Sequence, residues 1–318
     1  MTKVEQAVIA PPPGHGLRMA LLVILALFGV RFLWGLVAAL RRTRGVPPID
    51  ADREWAPKPA EAGVGFVTVF FDTFGIGSFA TTTALFRAFR LVPDELLPGT
   101  LNVGHAVTSV LSAFIFIELV PVAAGTLLPM IAAAGLGAWL GSGIVARLPR
   151  HRIRIGMGTA LLVAASLMLL TQLGRLPAGA DSLALSGPRL AVAVTVNFLL
   201  GGLMTLGIGL YAPCMILVSL LGMNPLAAFP IMMGSCAILL PISGARFVRE
   251  NRFHHSAAVG LTLGGIPALL IAAYIVKSLP IHAVRWIVIA VVLYTALTLL
   301  DAGRRELTSL RTDSSGRA

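Results

Sequence analysis

Long apolar stretches separated by short polar connections make up most of this chain. The first stretch covers residues 19–40 and follows a polar, proline-rich segment. A helix of about 20 apolar residues spans the hydrocarbon core of a bilayer, which is about 30 Å thick. The pattern therefore predicts an all-α integral membrane protein, a polytopic bundle of helices. The further apolar stretches cover approximately residues 63–86, 98–120, 123–147, 153–173, 189–221, 226–245, 256–276 and 283–301.

The overall composition supports the membrane class. Hydrophobic residues make up 57% of the chain and charged residues 12%, and the mean hydropathy is +0.88. Soluble domains carry about 25% charged residues. The formal net charge of +11 would also suit a nucleic-acid-binding protein. However, the basic residues cluster between the apolar stretches, which is typical of the cytoplasmic loops of membrane proteins. We therefore predict contact with membrane lipid and no nucleic-acid partner.

The two cysteines, Cys214 and Cys236, both lie within apolar stretches. They form no CxxC pair, so they indicate neither a disulfide framework nor a zinc site. The sequence also contains no HExxH, GxxxxGK[ST] or CxxCH pattern. These patterns carry zinc proteolysis, nucleotide hydrolysis and haem attachment. We therefore expect the cysteines to pack as small hydrophobic residues, and we predict no cofactor and no metal site.

The tripeptide Gly-Ile-Gly occurs twice, at residues 75–77 and 207–209, each time in the middle of an apolar stretch. Glycine is unfavourable inside a helix and favourable where the backbone must bend or be approached closely. If every stretch crossed the bilayer once, the basic clusters at 87–90 and 147–154 would lie outside, against the positive-inside rule. If both Gly-Ile-Gly stretches enter and leave by one face, every basic cluster is cytoplasmic. The sequence therefore predicts two re-entrant hairpins, each made of two half-helices.

Matching features recur at a nearly constant offset in the two halves of the chain. The position numbers of Gly75 and Gly207 differ by 132, and those of Pro149 and Pro280 differ by 131. A unit of one hairpin and three crossings thus occurs twice, and the charge pattern gives the second copy the opposite orientation. Inverted repeats with broken segments are typical of secondary transporters. The predicted divisions are a flexible tail (1–18), an extra first transmembrane helix (19–40), a cytoplasmic loop (41–62), repeat 1 (63–173), an external linker (174–188), repeat 2 (189–301) and a cytoplasmic C-terminal tail (302–318).

The residues around the two glycine breaks predict a site for a small anion. Each second half-helix begins just after the glycines, and the first amide groups of a helix have no intrahelical acceptor. These amides and the helix dipole attract negative charge. Two such helix ends that face each other would form an anion site from backbone groups. The predicted substrate-binding residues are Gly75, Gly77, Ser78, Thr81, Asn102, His105, Thr108, Gly207, Gly209 and Ser235.

Asp72 lies one turn before the first break. An ionised carboxylate in the middle of a bilayer costs about 2.5–3.5 kcal/mol on insertion scales. One interpretation is a proton acceptor that couples transport to a proton gradient. The other is a hydrogen-bond partner that holds the loop. The matching position in the second half is Met204, so the repeat itself does not require a carboxylate.

Other roles also fit parts of the sequence. The glycines would also allow close helix packing without forming a site. The segment GIGSFA places Ser78 directly after Gly77, and His105 would serve as the base for Ser78 in an intramembrane serine hydrolase. The second copy has Leu210 in place of that serine, which favours another role for the glycines. A passive anion channel is a further alternative, although no crossing carries a long polar stripe, which favours a carrier.

The paired glycine-rich segments, the helix GTLNVGHAVTSVLSAFIF and the small-residue run GLGAWLGSGIVARLP resemble the TauE/SafE family of sulfite exporter-like permeases. The similarity extends over about residues 63–301. The resemblance implies a bacterial inner-membrane permease for small anions, such as sulfite, sulfonates or related organic acids. We therefore predict a secondary-active permease, not an enzyme, that works by alternating access around the two breaks. Its C-terminus is predicted to be cytoplasmic, and the sequence leaves homo-oligomerisation open.

Overall fold

The computed structural model describes residues 15–43, 56–75, 77–93, 96–144, 182–204 and 210–278, and with gaps residues 155–173 and 286–308. In these ranges the regular structure is helical, apart from one isolated β-bridge between Ser182 and Met223. The helices are α1 (His15–Thr43), α2 (Pro59–Thr73), α3 (Ser78–Ala88), α4 (Leu97–Gly104), α5 (Ala106–Leu119), α6 (Ala124–Ile144), α7 (Gly187–Met204), α8 (Tyr211–Leu220), α9 (Ala228–Arg249) and α10 (His255–Ser278).

Several of these helices are long and apolar enough to cross a membrane. In the described part of the chain there are five such spans, while Ala124–Leu140 is apolar but shorter. The all-helical, multi-pass membrane class predicted from the apolar pattern is therefore confirmed. The five spans are Gly16–Ala39, Leu97–Leu119, Gly187–Met204, Pro225–Arg249 and His255–Ile275.

The first Gly-Ile-Gly tripeptide coincides with a break between two helices. α2 ends at Thr73 and α3 begins at Ser78. In between, Gly75 has φ +87° and Gly77 has φ +84°. Residues with a β-carbon rarely adopt such angles, whereas glycine does so without strain. The glycines therefore end one helix and set the direction of the next, and the helix break is present where the sequence predicts it.

The second apolar stretch with this tripeptide also forms two helices. α7 ends at Met204 and α8 begins at Tyr211. Residues 205–209, which include Gly207 and Gly209, lie outside the described residues. The two helices that flank them are nevertheless placed, and both pack against neighbours in the bundle.

α9 lies at the centre of the bundle. Every residue from Ala228 to Ala237 is buried, and the helix contacts α1, α4, α5 and α6. Phe229 of α9 stacks on Phe116 of α5, with ring centroids 5.3 Å apart. The outer helices instead expose large apolar side chains such as Trp34 and Tyr274, which suits contact with lipid. The core thus surrounds α9 and positions the broken segments beside it.

Glycines bring two pairs of helices into close contact, α2 with α10 and α6 with α7. A β-carbon on Gly65 of α2 would lie 2.6 Å from the backbone of Leu261 in α10. A β-carbon on Gly137 of α6 would overlap the carbonyl oxygen of Phe198 in α7. Small residues let helix backbones approach closely in membranes, where packing replaces the hydrophobic drive for association. These two contacts fix the first half of each broken segment to a helix from the other half of the chain.

Candidate functional site

A small cavity lies where the two broken segments come together beside α9. Residues before and after the first break line one side, and residues that flank the second break line another. Its lining residues are Asp72, Gly77, Ser78 and Phe79 from the first broken segment, Met204, Leu210 and Tyr211 from the second, Ser109 from α5, and Cys236 and Leu240 from α9.

The cavity is narrow in this conformation. Its free volume of about 10 Å³ is the space of about one water molecule. An anion with several heavy atoms therefore does not fit without movement of the surrounding helices. The lining is mostly apolar, and the polar groups concentrate around Asp72, Ser78 and Tyr211.

Asp72 bridges the first break through its side chain. Its Oδ1 atom accepts a hydrogen bond from the amide nitrogen of Ser78 at 2.5 Å, and the Ser78 hydroxyl also bonds the carboxylate. Ser78 is the first residue of α3, so the carboxylate lies at the positive end of that helix dipole. The backbone closes the same turn, because the amide of Gly75 donates to the carbonyl oxygen of Asp72 at 2.8 Å.

The second half of the chain supplies a polar group directly to Asp72. The hydroxyl of Tyr211, the first residue of α8, interacts with the Asp72 carboxylate and also bonds the sulfur of Met233 at 3.0 Å. The thiol of Cys236 lies 3.6 Å from the sulfur of Met204. Met204, at the end of α7, and Tyr211, at the start of α8, therefore line the same cavity as the Asp72 carboxylate.

The charge distribution of the lining is unusual for an anion site. Asp72 is the one carboxylate among the lining residues, and no lysine, arginine or histidine lines the cavity. The polar hydrogens that face the cavity come from backbone amides, hydroxyls and a thiol. Any positive potential there therefore comes from helix ends rather than from basic side chains.

Three of the predicted binding and coupling residues, Asp72, Gly77 and Ser78, line this cavity. Gly75 belongs to the same turn, and a β-carbon there would lie 2.5 Å from the terminal methyl of Met215. Gly207 and Gly209 fall outside the described residues. The remaining predicted binding residues lie away from the cavity lining, in the contacts described next.

Thr81 and Thr108 satisfy their hydroxyls within their own helical segments. The Thr81 hydroxyl donates to the carbonyl oxygen of Ser78 at 3.0 Å, and that of Thr108 donates to the carbonyl oxygen of His105 at 3.0 Å. Neither residue lines the cavity. Ser109, which follows Thr108, does line it. A substrate contact for the two threonines stays a prediction.

Asn102 and Ser235 take part in polar contacts between helices. Asn102 Oδ1 accepts from the hydroxyl of Ser243, at 2.5 Å, which joins α4 to α9. The hydroxyl of Ser235 accepts from Nδ2 of Asn197, at 3.3 Å, which joins α9 to α7. Both residues are buried and lie outside the cavity lining. These bonds place them as packing contacts beside the site, and a direct role in binding stays a prediction.

His105 bonds a different residue from the one that a hydrolase would need. Its Nε2 atom lies 3.1 Å from the hydroxyl of Thr82, while the hydroxyl of Ser78 bonds Asp72. A serine nucleophile requires hydrogen-bond contact with its base. His105 is buried, and its Nδ1 atom has no hydrogen-bond partner among the described residues. The predicted Ser78–His105 pair is therefore not formed in this conformation.

Sequence reasoning did not select Tyr211, although the repeat carried a signal for it. Tyr211 follows Phe79 at the same offset that relates Gly207 to Gly75, so the two residues occupy matching positions just after the two breaks. Both line the cavity. An aromatic residue at matching positions after the two glycine pairs is therefore the sequence signal for this part of the site. In the described part of the chain, no group of three or more histidine, cysteine or acidic residues is placed to hold a metal ion.

The fold and the cavity define a multi-pass membrane protein with a small site between its two halves. The model of the Sulfite exporter TauE/SafE family matches residues 7–168, just over half of the 318-residue chain, and the chain therefore belongs to this family. The match includes α1 and the first broken segment, so the predicted resemblance is confirmed there. Comparison with curated proteins gives no match, and neither does comparison with solved structures.

Family membership implies a membrane protein that exports an anion. Members of the family are transporters rather than enzymes. The predicted function is therefore confirmed at the level of an anion transporter in the membrane.

Proposed function

We propose that the protein is a secondary-active permease for a small anion, such as sulfite or a sulfonate, that works by alternating access around its two broken segments. The main observation in support is the shared cavity: residues that flank both breaks line one small space beside α9. Broken helices that meet at one site let a transporter bind its substrate with backbone groups while the two halves move against each other.

The packing of the helices supports an inverted repeat, with residues 63–173 as one copy and 189–301 as the other. The first half of each broken segment packs on a late helix of the other copy, since α2 packs on α10 and α7 packs on α6. Under the offset that relates the two copies, α2 corresponds to α7 and α6 corresponds to α10. The same contact thus occurs twice with the copies exchanged, as a pseudo-twofold axis requires.

Individual glycine contacts follow the same exchange. A β-carbon on Gly265 would lie 2.8 Å from the side chain of Val69, and one on Gly201 would overlap the carbonyl oxygen of Ala134. Position 201 matches position 69 under the offset of 132, and position 265 matches position 134 under the offset of 131. The two contacts are therefore counterparts of each other in the proposed repeat.

The binding groups of the proposed site are the first amides of α3 and α8, together with the hydroxyls of Ser78 and Tyr211. Gly77 lets the anion approach the backbone, because a β-carbon would otherwise stand beside the helix end. Gly75 shapes the first turn, and Thr81, Asn102, His105, Thr108 and Ser235 support the helices around it. Gly207 and Gly209, outside the described residues, stay predicted binding residues of the second break. Asp72 is the proposed proton acceptor for coupling.

Alternating access follows from the size of the cavity. The free volume of about 10 Å³ holds about one water molecule, so this conformation excludes an anion with several heavy atoms. Binding therefore requires the two broken segments to separate. Movement of α2 with α10 against α7 with α6 would open the cavity, because each of these pairs is held together by close glycine contacts.

Flux measurements in proteoliposomes test this function. Wild-type protein should take up labelled sulfite or methanesulfonate, and an excess of unlabelled anion inside the vesicles should accelerate uptake by exchange. With the membrane potential held at zero by potassium and valinomycin, a passive channel would give flux without this acceleration. The variant Gly77→Ala places a methyl group at the start of α3, where no neighbouring atom lies within 4 Å but where φ is +84°, and should reduce uptake both by covering the amides and by straining the turn. Gly63→Ala, in open space on α2, is the control. Absence of uptake of every small anion by wild-type protein would refute the proposal.

A further inference from the structure

We propose that Asp72 is an internal competitor of the transported anion: its carboxylate occupies the anion position at the start of α3 and must give up that position when substrate binds. This inference rests on the proposed transport function and assigns a mechanism to the same site. It begins from geometry, since the carboxylate already makes the contacts that a bound anion would make.

The contacts of Asp72 are those of an anion bound at a helix end. Oδ1 accepts the amide hydrogen of Ser78 at 2.5 Å, and the Ser78 hydroxyl bonds the same carboxylate. The Tyr211 hydroxyl reaches it from the start of α8. The carboxylate thus accepts the first amide of one broken segment and lies beside the tyrosine hydroxyl of the other. A substrate anion that enters the cavity finds these donors already engaged.

None of the described residues that line the cavity carries a positive charge that would let two negative charges remain side by side. The groups facing Asp72 are Ser78 on α3, Tyr211 on α8, Cys236 on α9 and, on α5, Ser109. None of them carries a positive charge, and no lysine, arginine or histidine lines the cavity. Two like charges at close range in a poorly solvated space repel strongly. Substrate and ionised Asp72 therefore exclude each other.

The exchange requires one proton. A proton from water adds to the Asp72 carboxylate and gives a neutral carboxylic acid, which releases the Ser78 amide. The anion then accepts the hydrogen bonds of that amide and of the two hydroxyls. When the anion leaves, the acid loses its proton to water and the carboxylate returns to the start of α3. One proton therefore travels with each monovalent anion, and the net charge of the site stays constant.

The competitor exists in only one of the two halves. The position that matches Asp72 under the repeat offset is Met204, which also lines the cavity. The start of α8 therefore has no carboxylate of its own broken segment. This asymmetry gives a stoichiometry of one proton per anion rather than two.

Calorimetric titration of the purified protein in detergent tests this proposal. Methanesulfonate is a suitable probe, because it is a strong acid whose anion carries no proton, and sulfite is a second probe. Titrations in buffers with different heats of ionisation measure the protons taken up by the protein. At about pH 8, well above the ordinary range of a carboxyl group, we expect uptake of about one proton per methanesulfonate bound to wild-type protein.

At about pH 8 the variant Asp72→Asn should bind methanesulfonate more tightly than wild type, because no carboxylate competes for the site, and the ratio of the two Kd values should grow about tenfold per pH unit. Its affinity should be independent of pH, whereas the wild-type Kd should rise about tenfold per pH unit. Asp72→Ser serves as a second neutral variant in case the amide disturbs folding. Glu118→Gln is the control, since Glu118 is an exposed carboxylate at the end of α5 and should behave as wild type.

Weaker or unchanged binding by both folded Asp72 variants would overturn the competition and leave the transport function standing. Proton uptake equal to that of wild type in Asp72→Asn would overturn it as well. If neither wild type nor the variants bind methanesulfonate or sulfite, the proposed function itself fails, and the competition fails with it. Tighter binding together with loss of proton uptake would support the proposal.

Discussion

The hydroxyl of Ser256 donates a hydrogen bond to Oε1 of Glu61 at 2.9 Å and joins the first turn of α10 to the first turn of α2. The second carboxylate oxygen, Oε2, accepts the amide hydrogen of Lys58 at 2.9 Å. Glu61 is only 1% exposed. Its carboxylate therefore caps α2 and fixes this helix to α10, beside the glycine contacts that hold the two helices together.

Replacement of Glu61 by alanine should destabilise the protein by about 2–4 kcal/mol, because the cap and the interhelical bond are both lost. Ser256→Ala should cost less, since only one bond is removed. A double-mutant cycle of the two should give a coupling energy of about 0.5–3 kcal/mol. Cys214 and Cys236 are buried and are the two cysteines of the chain, so a thiol-reactive dye follows unfolding during heating. If the losses of stability caused by Glu61→Ala and Ser256→Ala simply add in the double variant, a direct bond between the two side chains is contradicted.

The contact between α2 and α10 also predicts a difference between two glycines of α2. A β-carbon on Gly65 would press on the backbone of Leu261, whereas one on Gly63 would meet no atom within 4 Å. Gly65→Ala should lower the melting temperature by roughly 3–8 °C, which corresponds to about 1–3 kcal/mol of overpacking. Gly63→Ala should leave it unchanged or raise it, because alanine favours helix by about 1 kcal/mol. Equal effects of the two variants would contradict the close approach.

The same comparison applies to the counterpart contact between α6 and α7. Gly137→Ala should lower the melting temperature, because its methyl group overlaps the carbonyl oxygen of Phe198. Gly125→Ala, in the same helix, should not, because nothing lies within 4 Å. Similar losses from Gly65→Ala and Gly137→Ala would agree with the proposed exchange of contacts between the two halves. A loss at one of these two sites alone would count against it.

Apolar length and glycine placement predicted much of this architecture. The stretches 123–147, 226–245 and 256–276 correspond to α6, α9 and α10 within a few residues. The break at Gly75 was predictable because the sequence places two glycines there within an apolar stretch. Both Gly75 and Gly77 have positive φ, a conformation that other residues rarely adopt. Such features are local: they depend on the residue itself and on its nearest neighbours in the sequence.

The pairing of polar side chains was not predictable in the same way. His105 bonds Thr82 of α3 rather than Ser78, which begins the same helix. Thr82 and Ser78 lie on one face of α3 about 6 Å apart along its axis, so the position of His105 along that axis decides between them. The roles of Glu61 and Tyr211 likewise depend on partners in the other half of the chain, Ser256 and Asp72. These contacts come from the packing of whole helices, which a single sequence does not specify residue by residue.

Ser78 should not react as a hydrolase nucleophile. The Nε2 atom of His105 lies 3.1 Å from the hydroxyl of Thr82, so the histidine that the hydrolase alternative needs as a base does not contact the serine. A fluorophosphonate probe should therefore leave the folded protein unlabelled under conditions that label chymotrypsin completely. Stoichiometric labelling that disappears in Ser78→Ala and in His105→Ala would contradict this and would revive the hydrolase alternative. Labelling that persists in both variants would indicate reaction elsewhere.

The orientation of the first broken segment is the last prediction, and cysteine labelling decides it. Ala60 and Phe89 are exposed residues at the two ends of this segment, near the start of α2 and just after α3. A re-entrant hairpin places both ends on one face of the membrane, whereas a broken crossing places them on opposite faces. The arginines at positions 87 and 90 favour the cytoplasmic face for the second end.

Single substitutions Ala60→Cys and Phe89→Cys should react with a membrane-impermeant maleimide in inside-out vesicles and not in right-side-out vesicles. Leu183→Cys, in the predicted external linker, should show the reverse, and Arg305→Cys should report whether the C-terminal end is cytoplasmic. The native thiols give little background, because Cys214 and Cys236 are fully buried. Reaction of the thiol at position 89 from the external face would refute the re-entrant hairpin. It would also remove the opposite orientation of the two repeats, since repeat 1 would then cross the membrane four times instead of three and repeat 2 would begin on the same face as repeat 1.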